Sequence, residues 1–324
     1  MKFDLDLIYL YSEQARMKLK EIAKALKKSP QRTVYSMQVL EKQEILHHPF
    51  TIFDYSYFGM ILFKVYFKGA YITEKEKEKL VDYLSKNPYV IAVYELSGEF
   101  DLVIEMESPN PSRFNKELKK IATENPKLNN YKVILNLVTH LYPRTYMVKN
   151  QIPALISDET IVGGDREIYD YNDSELAIMS KLLEQPQIRL STLSKKAGLN
   201  VRTAKSILNK LQTNRIIKGY KMLIDHNQLG ISRVRLLLRL HNIHQEREHE
   251  LLNYMLKTPE IIHVNKTVGD WDIEIDIESL EKKRIRELIL EIREEYTDII
   301  ENFNIMDFYH FYWRRYLPTY IFKK

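Results

Sequence analysis

The chain has 324 residues, enough for two to four domains, and it is 44% hydrophobic and 29% charged, with a net charge of +5. It contains no Cys, which excludes disulfides, thiolate metal sites and cysteine nucleophiles. No apolar run approaches the roughly 18 residues that a membrane span needs. Acids interrupt the apolar start of the chain, unlike a secretion signal, so we expect a cytoplasmic protein with no membrane partner.

The two halves of the chain repeat each other at a spacing of 171 residues. The best match pairs GEFDLVIEMES, residues 98–108, with GDWDIEIDIES, residues 269–279. The same register joins matching residues from Leu5 and Leu176 to Pro88 and Pro259. Since chance does not maintain one register over such a length, we predict a tandem duplication in which both copies fold the same way.

The pattern of the first copy predicts three helices, a connecting strand, and then strands and helices in the order β-α-β-β-α-β. This order is typical of a ferredoxin-like domain, which leaves one face of its sheet uncovered. We therefore predict an α+β fold in which the two copies cover each other as an intramolecular pseudo-dimer, with further pairing of two chains left open. The predicted helices are 3–13, 19–26, 29–42, 73–87 and 112–122, and the predicted strands are 45–55, 58–67, 89–96, 102–107 and 131–141.

The second copy repeats this plan, and a stretch with Pro153, Gly163 and Gly164 separates the two copies. We predict helix-turn-helix domains at residues 1–50 and 173–225, ferredoxin-like domains at 51–143 and 226–324, and a linker at 144–172. In the second copy the predicted helices are 173–184, 190–197, 200–214, 246–258 and 280–296, and the predicted strands are 216–225, 232–240, 261–268, 273–277 and 300–311.

The second helix-turn-helix carries the clearest candidate for a functional surface. Gly198 permits a tight turn between two short amphipathic helices, and Asn200 is a good N-cap for the second of them. Residues 200–215 contain four cations and no acid. Duplex DNA is the expected partner, because its major groove admits one helix and cations contact its phosphates; the alternative is the solvated face of a packing helix. The predicted contacts are Arg202, Thr203, Lys205, Ser206, Asn209 and Lys210.

The first helix-turn-helix has a different charge pattern. Its third helix is near neutral, whereas residues 16–28 hold six cations against one acid. We therefore expect the two helix-turn-helix domains, head 1 (residues 1–50) and head 2 (residues 173–225), to differ, with head 1 mainly contacting the DNA backbone. The predicted contacts of this head are Lys18, Lys20, Lys24, Lys27, Lys28, Gln31, Arg32, Tyr35 and Ser36.

A helix-turn-helix, a connecting strand and a βαββαβ domain with G-x-x-D in its central turn resemble the Lrp/AsnC (leucine-responsive, feast/famine) transcription regulators. The resemblance covers both copies and is strongest in IIKGYKMLIDHNQLG, residues 216–230, and in GDWD, residues 269–272. It implies a dimer built by facing sheets, two DNA-binding heads, and a small effector such as an amino acid. Most members have one copy, and the first connecting segment, ILHHPFTIFDYSYFG at 45–59, departs from the pattern of the second.

The resemblance also assigns a possible effector pocket to the two duplicated turns. Gly98 with Asp101, and Gly269 with Asp272, correspond to the family loop. The simpler interpretation, which we favour, is a hairpin in which Gly takes a positive φ and Asp accepts backbone N–H bonds.

No catalytic, phosphate-binding or metal-binding motif is present, so we expect a protein that is not an enzyme and that needs no cofactor or metal. Sirohaem decarboxylases resemble the same architecture, and they provide an enzymatic alternative that rests on the fold alone. Its only candidate tetrapyrrole contacts are His47, His48, His140 and His310. A third alternative is an effector-sensing or assembly module that does not bind DNA.

Overall fold

The computed structural model describes residues 3–149, 156–241 and 245–322. The first copy begins with a three-helix head and continues through a connecting strand into a βαββαβ unit. Its elements are α1 (Leu5–Glu13), α2 (Leu19–Ala25), α3 (Pro30–Lys42), β1 (Leu46–Phe53), β2 (Ile61–Phe67), α4 (Glu74–Lys86), β3 (Val90–Ser97), β4 (Leu102–Ser108), α5 (Pro111–Glu124) and β5 (Tyr131–Leu141).

The second copy has the same order of elements after a short strand, β6 (Thr160–Gly163). The predicted fold class is therefore confirmed: each copy is a helix-turn-helix followed by a ferredoxin-like unit. The elements of the second copy are α6 (Asp173–Glu184), α7 (Leu190–Lys196), α8 (Val201–Thr213), β7 (Ile217–Ile224), β8 (Ser232–Leu240), α9 (Gln245–Lys257), β9 (Ile261–Val268), β10 (Ile273–Ser279), α10 (Lys282–Glu295) and β11 (Ile300–Arg314).

The two ferredoxin-like sheets join edge to edge rather than facing each other as separate layers. The strand order is β2-β4-β3-β11-β8-β10-β9-β5, and β5 also pairs with β2, which closes the eight strands into a barrel. Strand β3 of the first copy pairs with β11 of the second, and β9 of the second copy pairs with β5 of the first. Closure removes the free sheet edges that either copy alone would expose.

The inside of this barrel combines buried ion pairs with an apolar and aromatic cluster, whereas its outer face is covered by apolar packing of the four helices. The Arg235 guanidinium donates to Asp276 at 2.7 Å and to the hydroxyls of Tyr66 and Tyr94 at 2.9 and 2.6 Å. Tyr66 and Tyr94 belong to the first copy, whereas Arg235 and Asp276 belong to the second. Buried charges need such partners because burial removes their hydration. The ionic contacts therefore tie the two copies together from within.

The two heads are joined to each other as well as to the barrel. Strands β1 and β7 pair antiparallel, so the connecting segments of both copies form one two-stranded sheet. Arg16 donates to the carbonyls of Pro186 and Ile188, and Thr51 donates to the carbonyl of Leu182. The heads are therefore held in one fixed arrangement by backbone as well as side-chain contacts.

The predicted linker contains more structure than its composition indicates. Strand β6 pairs with β5, and Gly163 takes a φ of 90° where a Cβ would come within 2.8 Å of the Leu137 carbonyl. Residues 150–155 of this linker lie outside the described residues, and the domain limits stay a prediction. In the described ranges no helix is long and apolar enough to cross a membrane.

The turn inside each head shows how the copies have diverged. Gly198 has a φ of 67°, which glycine adopts without steric cost. The matching position in the first head is Lys27, which adopts the same left-handed conformation with a φ of 52°. A side chain with a Cβ is strained there by about 1 kcal/mol. The first head therefore keeps the turn at a conformational cost that the second head avoids.

Replacing Lys27 with Gly is expected to raise the free energy of unfolding of the first head by about 0.5–1 kcal/mol, because it removes this strain. Urea denaturation followed by far-UV circular dichroism measures the change. Lys24→Gly, inside α2, is the matched control and should lower stability by about 1 kcal/mol. Equal destabilisation by both changes would contradict the strain argument.

One carboxyl group inside the barrel is left without a partner. Glu107 is fully buried, and among the described residues neither of its oxygens has a hydrogen-bond partner. Burial, reinforced by Glu105 and Asp54, raises the pKa of Glu107 well above its usual value. The matching residue, Glu278, is bound by Arg144, and these contacts overcome burial and lower its pKa to about 2. The two copies thus shift the pKa of the same carboxyl group in opposite directions.

The variant Glu107→Gln is expected to gain stability over the natural protein as the pH rises. Because the folded pKa of Glu107 is raised, its contribution to stability is fully present below the unfolded pKa of about 4.5. That contribution is lost as the pH rises towards the folded pKa, at up to about 1.4 kcal/mol per pH unit. Gln cannot ionise, so the variant avoids this loss. Denaturation midpoints at about pH 5 and about pH 9 measure the difference. Glu278→Gln is the matched control, and it should destabilise above about pH 4.5, where the ionised Glu278 contributes.

Candidate nucleic-acid interface

Helix α8 is positioned by capping and by one apolar face. The Asn200 side chain accepts a hydrogen bond from the Thr203 amide at 2.8 Å, which fixes the first turn of the helix. Ala204 and Leu211 are fully buried and belong to the core cluster that also holds Leu193 of α7. These contacts fix which face of α8 points outward.

The outward face of α8 presents most of the side chains that the sequence predicts. Arg202, Lys205, Ser206 and Asn209 are exposed, and Thr203 is partly exposed. A helix with exposed cations beside short polar side chains has the chemistry that duplex DNA requires, since the cations suit phosphates and the polar groups suit base edges. The structure therefore places these five residues on one accessible surface.

Lys210 differs from the other predicted residues of this surface. Its ammonium group lies 2.9 Å from the buried Glu175 carboxylate and 5.6 Å from the centre of the Tyr169 ring. Hydrogen bonds to Tyr169 and Glu175 raise the pKa of Lys210. This ion pair joins α8 to α6, while the Lys210 side chain is 53% exposed, and its contact with DNA stays a prediction. The cations that remain outward on this segment are Arg202, Lys205 and Arg215.

The first head exposes most of its predicted cations and also a large aromatic side chain. Lys28 is the exception, because it is half-buried and its ammonium group binds the Asp4 carboxylate. Tyr35, on the outer face of α3, is 67% exposed, which is high for an aromatic side chain. The exposed predicted residues of this head are Lys18, Lys20, Lys24, Lys27, Gln31, Arg32 and Tyr35, while Ser36 is partly buried.

The duplicated turns use their carboxylates to hold backbone. Asp101 accepts from the amides of Gly69 and Ala70, and Asp272 accepts from the amide of Leu240 at 2.8 Å. Gly98 and Gly269 both have a positive φ, at 138° and 148°. The hairpins account for the glycines, whereas each Asp holds the backbone at or just beyond the end of a neighbouring strand, β2 or β8, and an effector at this loop stays a prediction.

The four histidines proposed as tetrapyrrole contacts do not converge. His47 and His310 are neighbours, with ring centres 6.3 Å apart, and His48 is exposed beside Trp313. His140 instead binds Glu159 at 2.6 Å on the far part of β5. Burial, and then His47, lowers the pKa of His310. Within the described ranges no group of three or more His, Asp or Glu side chains is arranged to hold a metal ion.

The buried ion pairs inside the barrel were not predicted from the sequence. His263 lies there, 3.3 Å from Asp276, and burial lowers its pKa to about 4. The available signal was the recurrence of charged residues at every second position of apolar strands, as in Arg233 and Arg235 of β8 and in Asp276 and Glu278 of β10. Alternation indicated which face they share, but only barrel closure shows that this face is buried.

No family model matches the chain. An uncharacterised HTH-type transcriptional regulator of Pyrococcus furiosus is 28% identical over 120 residues, which are 37% of this chain and 77% of that protein. An HTH-type transcriptional regulator of Pyrococcus horikoshii is 27% identical over 100 residues, 31% of this chain and 65% of that protein. The predicted resemblance to helix-turn-helix regulators is confirmed by these relatives.

One solved structure matches nearly the whole chain. The siroheme decarboxylase NirDL covers 98% of this chain and 97% of its own, with a TM-score of 0.58 and 12% sequence identity. At this level of sequence identity the likeness concerns the fold alone. The expectation that the chain is not an enzyme is wrong on this finding, because the architecture that matches it from end to end is that of an enzyme.

Proposed function

We propose that this tandem Lrp/AsnC-like protein binds duplex DNA as a transcription regulator. In this proposal head 2 contacts base edges and head 1 contacts the phosphate backbone. The observation that carries the proposal is the outer face of α8, where Arg202 and Lys205 stand exposed among Ser206 and Asn209. The two regulators of Pyrococcus support it, since their names assign this activity to helix-turn-helix proteins.

The arrangement of the heads supports a division of labour between them. Strands β1 and β7 hold both heads in one unit, so both heads can contact the same duplex. Helix α8 offers short polar side chains at its centre, whereas the first head offers mainly lysines around α2. Lysine contacts phosphates as a point charge and supplies affinity without sequence preference. We therefore infer that specificity lies in the second head, and that an effector such as an amino acid adjusts it.

The double change Arg202→Ala, Lys205→Ala is expected to weaken binding to a selected duplex by at least about thirtyfold and to reduce the slope of log affinity against log salt by about 2. Electrophoretic retardation at several salt concentrations, on a duplex isolated by selection from genomic fragments, measures both. Lys20→Ala, Lys24→Ala in the first head should weaken selected and random duplexes equally.

The matched control is Lys116→Ala, Lys120→Ala, which makes the same change of net charge on α5, an exposed helix of the barrel. This control should leave the affinity for the duplex and its salt dependence unchanged. If the α5 variant and the α8 variant lose affinity equally, net charge rather than the α8 surface explains the binding. If the α8 variant binds as the natural protein does, the proposed interface is wrong.

A second candidate function is an activity on a tetrapyrrole such as sirohaem. The whole-chain similarity to NirDL favours it, and so does the proximity of His47 to His310 at the junction of β1 and β11. Imidazole nitrogens are common ligands of haem iron, and burial lowers the pKa of His310 in the direction that favours the neutral ring, which ligation requires.

If this second function holds, iron-uroporphyrin III added to the full-length protein should show a shifted absorption spectrum, and His310→Ala should remove the shift. His140→Ala is the matched control, because His140 lies apart from the pair and should leave the spectrum as in the natural protein. DNA retardation by both variants shows whether the two functions use separate residues. A spectrum that the protein does not alter would exclude this candidate.

A further inference from the structure

A groove of about 830 Å³ runs along the outside of the barrel in the second copy, between α10 and β11. Its volume lies within the range of protein sites that bind organic ligands. The floor is apolar and is formed by Ile231, Val234, Ile289 and Ile305. Ile305 and Leu290 are about two-fifths exposed, at 41% and 40%, so the groove presents apolar surface to solvent.

The rim of this groove is cationic. The first two turns of α10 supply Lys282, Lys283 and Arg286 to the rim. Arg293 lines the groove about two turns after Arg286, on the same face of the helix. Lys282, Lys283 and Arg286 are exposed, and Asp307 is the only acid among the lining residues. An apolar floor beneath several cations complements a ligand that has an apolar body and an anionic end.

The first copy shows that the fold does not require these cations. Helix α5 matches α10 residue for residue, and its buried positions remain apolar, as in Phe114 and Leu118 opposite Ile285 and Ile289. The four rim positions, in contrast, are all uncharged in the first copy. The residues that match Lys282, Lys283, Arg286 and Arg293 are Pro111, Ser112, Asn115 and Ala122.

The first copy also fills the corresponding space with larger side chains. Phe63 and Phe114 stack there with ring centres 4.0 Å apart, where the second copy has the smaller Val234 and Ile285. At the end of the same site, the Tyr320 hydroxyl lies 2.8 Å from the sulfur of Met60, which matches Ile231. The second copy therefore has less bulk in the floor and more positive charge on the rim than the first copy has at the matching place.

We propose that this groove binds a small amphipathic organic anion, whose apolar body lies on the floor and whose carboxylate or similar group meets Lys282 and Arg286. The site is distinct from the proposed DNA surface on α8 and does not depend on it. Asn227 and Ile231, which also line the groove, belong to the segment that joins head 2 to the barrel, so an occupant contacts both parts.

The test uses the full-length protein and the fluorescent probe 1-anilinonaphthalene-8-sulfonate. Binding is expected to be saturable, and dodecanoate should displace the probe at concentrations where dodecan-1-ol does not. Lys282→Ser, Arg286→Asn, which gives α10 two uncharged side chains, should weaken probe binding about tenfold or more, because each charge-assisted contact contributes a factor of about ten. Val234→Phe, which gives the floor the residue of the first copy, should abolish it.

Lys116→Ser, Lys119→Asn on α5 makes the same charge change away from the groove and should bind the probe as the natural protein does. Circular dichroism checks that each variant is folded, and the rim variant decides the result if Val234→Phe is not. Undiminished binding by the rim variant overturns the proposal, as does equal displacement by dodecan-1-ol. Displacement of the probe by a short duplex would assign the rim to DNA and would also overturn it.

Discussion

The closed barrel depends on charges that it buries. Arg235 of the second copy binds Asp276 of its own sheet and the hydroxyls of Tyr66 and Tyr94 from the first copy, while Lys64 of the first copy binds Glu274 of the second. Desolvation makes such groups costly, so their net contribution to stability is small when every partner is present and strongly unfavourable when one is missing. These contacts join β8 and β10 of the second copy to β2 and β3 of the first, and they therefore favour this register of the two sheets.

Duplication within one chain has allowed the two copies to become different while keeping this barrel. Arg144 and Arg233 bind Glu278, but the position that matches Arg233 in the first copy is Leu62, and in the described part of the chain no hydrogen-bond partner reaches the Glu107 carboxyl group. In a homodimer both sites would carry the same sequence and would change together. Covalent fusion removes that requirement, so a surface of one copy can acquire binding residues that the matching surface of the other copy lacks.

The architecture alone does not select a function. Proteins that share it include an enzyme over its whole length, while the relatives with higher sequence identity, over part of the chain, are transcription regulators. The distinction lies in particular surfaces, because folds of this kind present many different sites. Here the competing surfaces are the exposed face of α8 and the pair His47 and His310, and they lie on different elements.

The sequence by itself determined the repeat, the order of the elements and the outward face of α8. These follow from local patterns: apolar residues at helical or strand spacing, the Asn200 cap, and a segment with four cations and no acid. Helix α8 was predicted at residues 200–214 and is observed at Val201–Thr213. Charges on its outer face could be counted before any contact was known.

Only the tertiary structure decided which of those charges are available and which strand faces are buried. Lys210 looked equivalent to Lys205 in the sequence, yet Glu175 of another helix binds it. The recurring charges of β8 and β10 share one sheet face, and barrel closure places that face inside. The groove beside α10 likewise arises from the packing of Val234 against a distant helix. Such properties depend on neighbours far apart in sequence, and periodicity carries no information about them.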